Sequence, residues 1–378
     1  IATDGAGSGA AVTDVLDLTG GTGNVGLGSG SLGTSLTTGT DNVAIGENAG
    51  DALSTGSDNT LVGDNAGGAL TTGGNNIAIG SAALDAEDTG TDSVAIGYNA
   101  LTAQNNDASN YNVAVGSSAG AAVTTATRSV LIGGQSGDAL TTGSRNNVIG
   151  YNALGSDTLG ARATALGYGA LQSQNFTTAT ENYNVALGYN AGGSITTGVQ
   201  NTLVGALTGD SLTDADSNIA IGYASLTADT LGSKSVAIGA GTLESQNFST
   251  ATDSYNVAIG HTAGGNVTTG LQNVAIGGLA GDALTDADRN IAIGYQALTT
   301  DDLGSRSIAV GAGAVFSQNY ATATNSHNIG IGDLSLFYNV TGVNNTFVGS
   351  AAGLGASGNS HSNNTGIGYA AGTAITTG

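Results

Sequence analysis

Few side chains in this sequence are equipped for chemistry. Three histidines, His261, His327 and His361, share no spacing that would hold a metal, and no cysteine supplies a thiolate. Acids gather in short turns, as in Asp85, Glu87 and Asp88 or Asp282, Asp286 and Asp288. Such turns could offer oxygen ligands to Ca²⁺, the one cofactor worth weighing. The glycine-rich nonapeptide that binds calcium in other repeat proteins is missing, so solvated acidic turns are the plainer reading. Gly21-Thr22-Gly23-Asn24-Val25-Gly26 fits the dinucleotide-binding fingerprint, but a chain with 65 glycines produces that match by chance. No helix pattern follows it to hold a phosphate. No cofactor and no enzymatic activity are expected.

What does stand out is placement. All six basic residues, Arg128, Arg145, Arg162, Lys234, Arg289 and Arg306, lie five positions before one of a series of regularly spaced glycines. Tyr111, Tyr183, Tyr255 and His327 take the same column elsewhere, and Asp41, Asp58 and Asp92 take it near the start. The column reads as a charged ridge facing acidic turns of the same or a neighbouring chain. A tyrosine often follows the glycine directly, as at Tyr98, Tyr151, Tyr168, Tyr189, Tyr223 and Tyr295.

The series itself is a phrase, Asn-Val-Ala-Ile-Gly and its variants, recurring about twenty times from residue 24 onward. Most of its steps equal the one from Gly46 to Gly63. Gly46, Gly63, Gly80, Gly97, Gly188, Gly260 and Gly332 are among the anchoring glycines. A short fixed period means stacked equivalent coils, a solenoid. The residue one before each glycine is Ile, Val or Leu, and the residue three before is Val, Ile or Thr except at Asn147. Period-2 alternation of β-branched residues predicts a short strand whose same-face pair, such as Val43 and Ile45, points into the core. The residue between them would then face outward. It is Ala or Gly in most copies, as at Ala44, Ala78, Ala95, Ala186 and Ala258, and never charged, so this column is expected to meet another chain. Four before the glycine stands Asn in most copies, as at Asn42, Asn59, Asn76, Asn184 and Asn256, which predicts an amide ladder from coil to coil.

After the glycine the coils come in two forms, one with Ala-Gly and a later aliphatic (Ala49-Gly50 with Leu53), one with Ala-Leu (Ala83-Leu84). Every fourth coil is longer, giving a four-coil super-period whose equal steps run from Gly188 to Gly260 and from Gly260 to Gly332. Three of the four longer connections carry Ser-Gln-Asn followed by an aromatic, and Phe176, Phe248 and Tyr320, with Tyr183 and Tyr255, are candidate receptor contacts on them. Strands ~4.8 Å apart would make twenty coils a rod of roughly 95 Å.

Asn256-Val257-Ala258-Ile259-Gly260 and Ser93-Val94-Ala95-Ile96-Gly97 resemble the head repeats of YadA-type trimeric autotransporter adhesins. Ala292 to Leu298, with turns such as Thr71-Thr72-Gly73, is similar to repeats of phage tail-fibre proteins. The resemblance implies left-handed parallel β-rolls, three side by side about one axis. The period departs from it, since the autotransporter repeat is shorter than the one in this chain.

The expectation is therefore an all-β repeat solenoid, a left-handed parallel β-roll forming a homotrimer, with residues 1–23 as a connecting segment and 24–378 as one repeat domain of a longer protein. A structural and adhesive fibre is expected. A phage tail fibre for host attachment leads; a bacterial trimeric adhesin or extracellular filament subunit is the alternative. Partners would be further copies of the chain, end to end as well as side by side, and a host-surface glycan or protein. A net charge of −22 excludes nucleic acid and docking on anionic lipid, and no apolar run is long enough to insert in a membrane. An ice- or mineral-binding face would need threonine on every coil, and only some coils carry Thr-Thr-Gly.

Overall fold

In the computed structural model, which describes residues 21–358 and 360–375, each copy of the phrase is one turn of a parallel β-solenoid of about 20 turns. Each strand of the main sheet is three residues long and pairs in register with the equivalent strand one coil on, as Val43, Ala44 and Ile45 do with Thr60, Leu61 and Val62. No helix occurs among the described residues. The segment expected to connect, residues 1–23, lies almost wholly outside the described part. The chain divides into two bodies, one ending at Tyr151 and one beginning at Asn152. Each contains the same coil.

The coil follows from four devices. The anchoring glycines named above all have φ between +129° and +144°, a region open only to residues without Cβ. A Cβ at Gly260 would also lie 2.6 Å from the carbonyl carbon of Gly277 in the next coil. Strand exit and coil stacking thus both require glycine. The second device is the Asn ladder, which forms as expected. The Asn42 carboxamide oxygen accepts the backbone N–H of Asn59 at 3.0 Å, and the Asn59 oxygen accepts that of Asn76 at 3.0 Å. Each amide also donates across its own coil: Asn59 Nδ2 to Gly73 O at 3.0 Å, Asn256 Nδ2 to Gly270 O at 2.7 Å. Asn42, Asn59, Asn76, Asn184 and Asn256 are all buried. The side chain serves as a rung that no apolar residue could supply.

The third device explains the two coil forms. The fourth position after the anchor is always left-handed: Gly50 at φ 60° in one form, Leu84 at φ 54° in the other. With glycine there, the core leucine comes from three residues later, Leu53; otherwise Leu84 itself turns inward. Both are fully buried, so the two forms fill one interior by different routes.

The fourth device corrects the expected facing of the strand. Ala44, Ala78, Ala95, Ala186 and Ala258 are fully buried in the chain's own interior and form no inter-chain column. The flanking residues point outward: Ile45 is 38% exposed and Val43 half-buried. The reason is volume. So short a coil encloses a thin core that already receives a leucine from the opposite wall, and a small residue fits opposite it. Where the middle residue is larger, a glycine makes room: a Cβ on Gly67 would lie 2.8 Å from Leu61 Cδ2.

Candidate assembly face

The outward strand residues make two aliphatic lanes on each body. In the N-terminal body they include Ile77 and Ile79 (37% each) and Ile149 (40%); in the C-terminal body, Leu166 (41%), Ile219 (40%) and Ile331 (39%). Beyond the lanes on either side come two polar columns. The column before the strand holds the acids, bases and tyrosines noted in the sequence; the column after it holds Tyr98, Tyr151, Tyr168, Tyr189, Tyr223 and Tyr295, each at least half exposed. An aliphatic strip of this length, unbroken in the lane of Ile45 and Ile79 and interrupted in the other by residues such as Thr60, Asn147, Thr164 and Thr202, with a polar border, is the composition of a covered surface, since isolated apolar residues scatter while lanes do not.

The column before the strand is left-handed at every basic residue, with φ 60° at Arg128, 63° at Arg145, 66° at Arg162, 63° at Lys234, 57° at Arg289 and 65° at Arg306. That backbone turns these side chains out along the edge of the lanes. Two of the expected pairings form. Arg162 meets Glu181 at 2.8 Å and lies 5.4 Å from the centre of the Tyr183 ring; Lys234 meets Asp253 at 2.5 Å and lies 5.3 Å from that of Tyr255. Tyr183 Oη donates to Glu181 at 2.6 Å. Arg289 Nε donates to the Gln272 carboxamide one coil away at 2.9 Å. Lys234 holds the Asp253 carboxyl below its ordinary range, and Asp253 holds the ammonium above its own. Both groups are solvated, so the pair orients side chains more than it stabilises the fold.

The longer connections divide the candidate receptor contacts. Tyr183 and Tyr255 are exposed. Phe176, Phe248 and Tyr320 are each 5% exposed, which removes them as contact residues. They are held inside by an arrangement that sequence reasoning missed. Asp229 is fully buried: Oδ1 accepts from the backbone N–H of Gly232 at 3.0 Å and of Phe248 at 3.3 Å, and Oδ2 accepts from Gln246 Nε2 at 2.5 Å. The Gln246 oxygen in turn accepts from the ladder amide of Asn256 at 2.9 Å. Asp157 with Gln174, and Asp301 with Gln318, repeat this bracket at the four-coil super-period, and Glu87 with Gln104 does so in the N-terminal body. Burial pushes all four carboxyls above their ordinary range, partly offset by the donors around them. Desolvation is the larger effect even though every bracket contact is a donor suited to the charged form. The signal was present in the sequence as the Gln of Ser-Gln-Asn, paired with an acid one coil earlier. Beside these brackets, the three connections of the C-terminal body each add a short second parallel ladder: Gly160–Ala161 with Thr180–Glu181, Gly232–Ser233 with Thr252–Asp253, and Gly304–Ser305 with Thr324–Asn325.

The histidines stay apart. His361 is buried, with Nδ1 3.3 Å from the Asn345 oxygen and its ring against Phe347, and burial lowers its basicity. His261 and His327 are exposed. Among the described residues no three acids or histidines converge as metal ligands. Comparison with protein-family models and with curated proteins returns no match.

Proposed function

We propose that this chain is a structural and adhesive fibre segment whose aliphatic lanes are covered by further copies of the same chain. The observation that carries the reading is the pair of exposed lanes bordered by polar columns. Thin coils bury one leucine or so each, little for an isolated solenoid, and lateral assembly would supply apolar burial at ~25 cal/mol per Å². The resemblance to autotransporter heads and tail fibres supports a left-handed winding and a trimer. The same resemblance favours a fibre on a virion, for host attachment, with an adhesin or filament subunit on a bacterial surface as the second reading. Tyr183 and Tyr255 are the receptor contacts that remain on the longer connections.

Sedimentation equilibrium of the intact chain tests the reading. A mass that is a multiple of 36.3 kDa, falling when Ile79 and Ile96 are both changed to Lys with circular dichroism unaltered, is the expected result. A folded monomer in the unaltered protein refutes it.

A further inference from the structure

The polar columns beside the lanes are not uniform along the N-terminal body. The column before the strand begins acidic, with Asp41 and Asp58 exposed, and ends basic, with Arg128 and Arg145 exposed. The column after the strand begins with exposed Glu47 and Asp64 and ends with Tyr151. Two copies lying face to face can match these columns in two ways. With fibre axes parallel, the column before one strand adjoins the column after the other at the same level. That sets Asp41 beside Glu47 and Asp58 beside Asp64, like charges in both coils. With axes antiparallel, related by a two-fold axis along the strands, each column meets itself in reverse order.

One placement of that two-fold axis, midway between the Gly97 and Gly116 coils, matches every level of six coils. Asp58 then faces Arg145 and Asn75 faces Arg128. Asp92 faces the Tyr111 hydroxyl. In the other column Asp64 faces the Tyr151 hydroxyl, Ser81 faces Gly134, and Tyr98 faces Ser117. In the lanes, Ile77 faces Val130 and Val94 faces Val113. The placement also accounts for Asn147, the single amide among the β-branched residues of its lane: it faces Thr60, the only other polar lane residue within these coils. No level sets like charges together or a polar side chain against an aliphatic one.

We infer that the N-terminal body is a self-complementary docking face that binds a second copy of this chain antiparallel. The inference rests on the reading that copies cover the lanes, and for this body it replaces the parallel threefold bundle with a two-fold pair. Strand directions stay aligned across the interface, the ordinary way in which two sheets stack ~10 Å apart. Six coils ~4.8 Å apart and about 20 Å wide give a contact of roughly 580 Å² per copy, near the lower limit for a specific dimer. In an isologous contact each pairing occurs twice, so Asp58–Arg145 supplies two oppositely charged pairs at the two ends. Charge matching of this kind selects orientation more than it adds affinity. Such a joint would link two fibres through their N-terminal bodies.

The experiment uses the intact chain in three forms: unaltered, Arg145→Glu, and Asp58→Lys with Arg145→Glu. Sedimentation equilibrium should give an even multiple of 36.3 kDa for the unaltered chain. Arg145→Glu should weaken the dimer about tenfold or more, and the double swap should restore it. A second measurement fixes direction. Asp64→Cys together with Tyr151→Cys, in a chain without cysteine, should be joined into a covalent dimer by a thiol-to-thiol linker of about 10 Å, which spans two facing sheets but not the ~24 Å, five coils, between the two sites within one chain. Three copies, unaffected by Arg145→Glu and giving no covalent dimer, overturn the antiparallel inference and leave the covered-lane reading standing. A monomer overturns both.

Discussion

Removing one buried bracket should destabilise the C-terminal body by an amount the structure lets us work out. In Asp229→Ala, the backbone N–H groups of Gly232 and Phe248 lose the carboxylate that accepts them at 3.0 and 3.3 Å. Gln246 Nε2 loses Asp229 but keeps Ser235 Oγ at 2.9 Å. Two buried donors left without a partner cost about 1–3 kcal/mol each, and relief of the desolvated carboxylate returns part of that, for a net loss of about 2–4 kcal/mol. For a body of this size each kcal/mol shifts the melting temperature by about 2–4 °C, so a fall of roughly 4–16 °C is expected. Thermal melts followed by far-ultraviolet circular dichroism measure it, with Asp229→Asn as the milder companion, since it keeps the shape but turns one acceptor toward Gln246 into a donor. Because repeat bodies open locally, limited proteolysis of residues 246–254 should show the same loss earlier than the global melt. A melting temperature within about 1 °C of the unaltered chain, with unchanged cleavage, would refute the view that these brackets hold the longer connections.

Further outcomes follow from the same geometry. Glu87, Asp157, Asp229 and Asp301 have folded-state carboxyls raised by burial, so the folded chain holds their protons to higher pH than the unfolded chain does. Stability from them is therefore greatest at the acid end and falls as pH rises through the window above the ordinary carboxylate value, flat beyond it; melts at about pH 4 should exceed those at about pH 7, and the reverse order would contradict the assignment. Asp253 carries the opposite sign, its contribution vanishing on acidification, but its solvated pair with Lys234 is too weak to reverse the trend. Gly260→Ala should cost about 3 kcal/mol or more, because a Cβ meets both a forbidden φ of +131° and the next coil's backbone; a fully folded, equally stable variant in a urea titration would sink the anchoring argument. Asn256→Ala removes the amide that bonds Gly270 and Gln246 and the oxygen that accepts Asn273 N–H at 2.9 Å, and a loss of about 2 kcal/mol in the same titration is expected.

How much of this was legible in the residues depends on distance along the chain. The Asn ladder could be read because its amide sits at one fixed offset from the anchoring glycine, and the hydrogen bond it makes recurs from coil to coil. The bracket could not be read so easily: Asp229 and Gln246 lie in different coils, and only stacking makes them neighbours. The aromatic of the longer connection looked like a ligand contact because aromatics there are otherwise unexplained. Phe248 is instead drawn inward by the carboxylate that accepts its own backbone N–H. The two left-handed positions, Gly50 and Leu84, showed in the sequence only as two coil forms, since nothing in Leu84 announces a positive φ.

By itself, the sequence determined the coil: its period, its short strand, its glycine exit and its amide rung, because each rests on local backbone chemistry repeated at a fixed spacing. It left open which side of the strand turns inward. Val43, Ala44 and Ile45 are all apolar, so alternation marks two faces without saying which is wet. Tertiary structure decided that by volume. So short a coil has room opposite Leu53 for the methyl group of Ala44 and none for Val43 and Ile45, which are left on the surface as the lanes along which this chain would meet its copies.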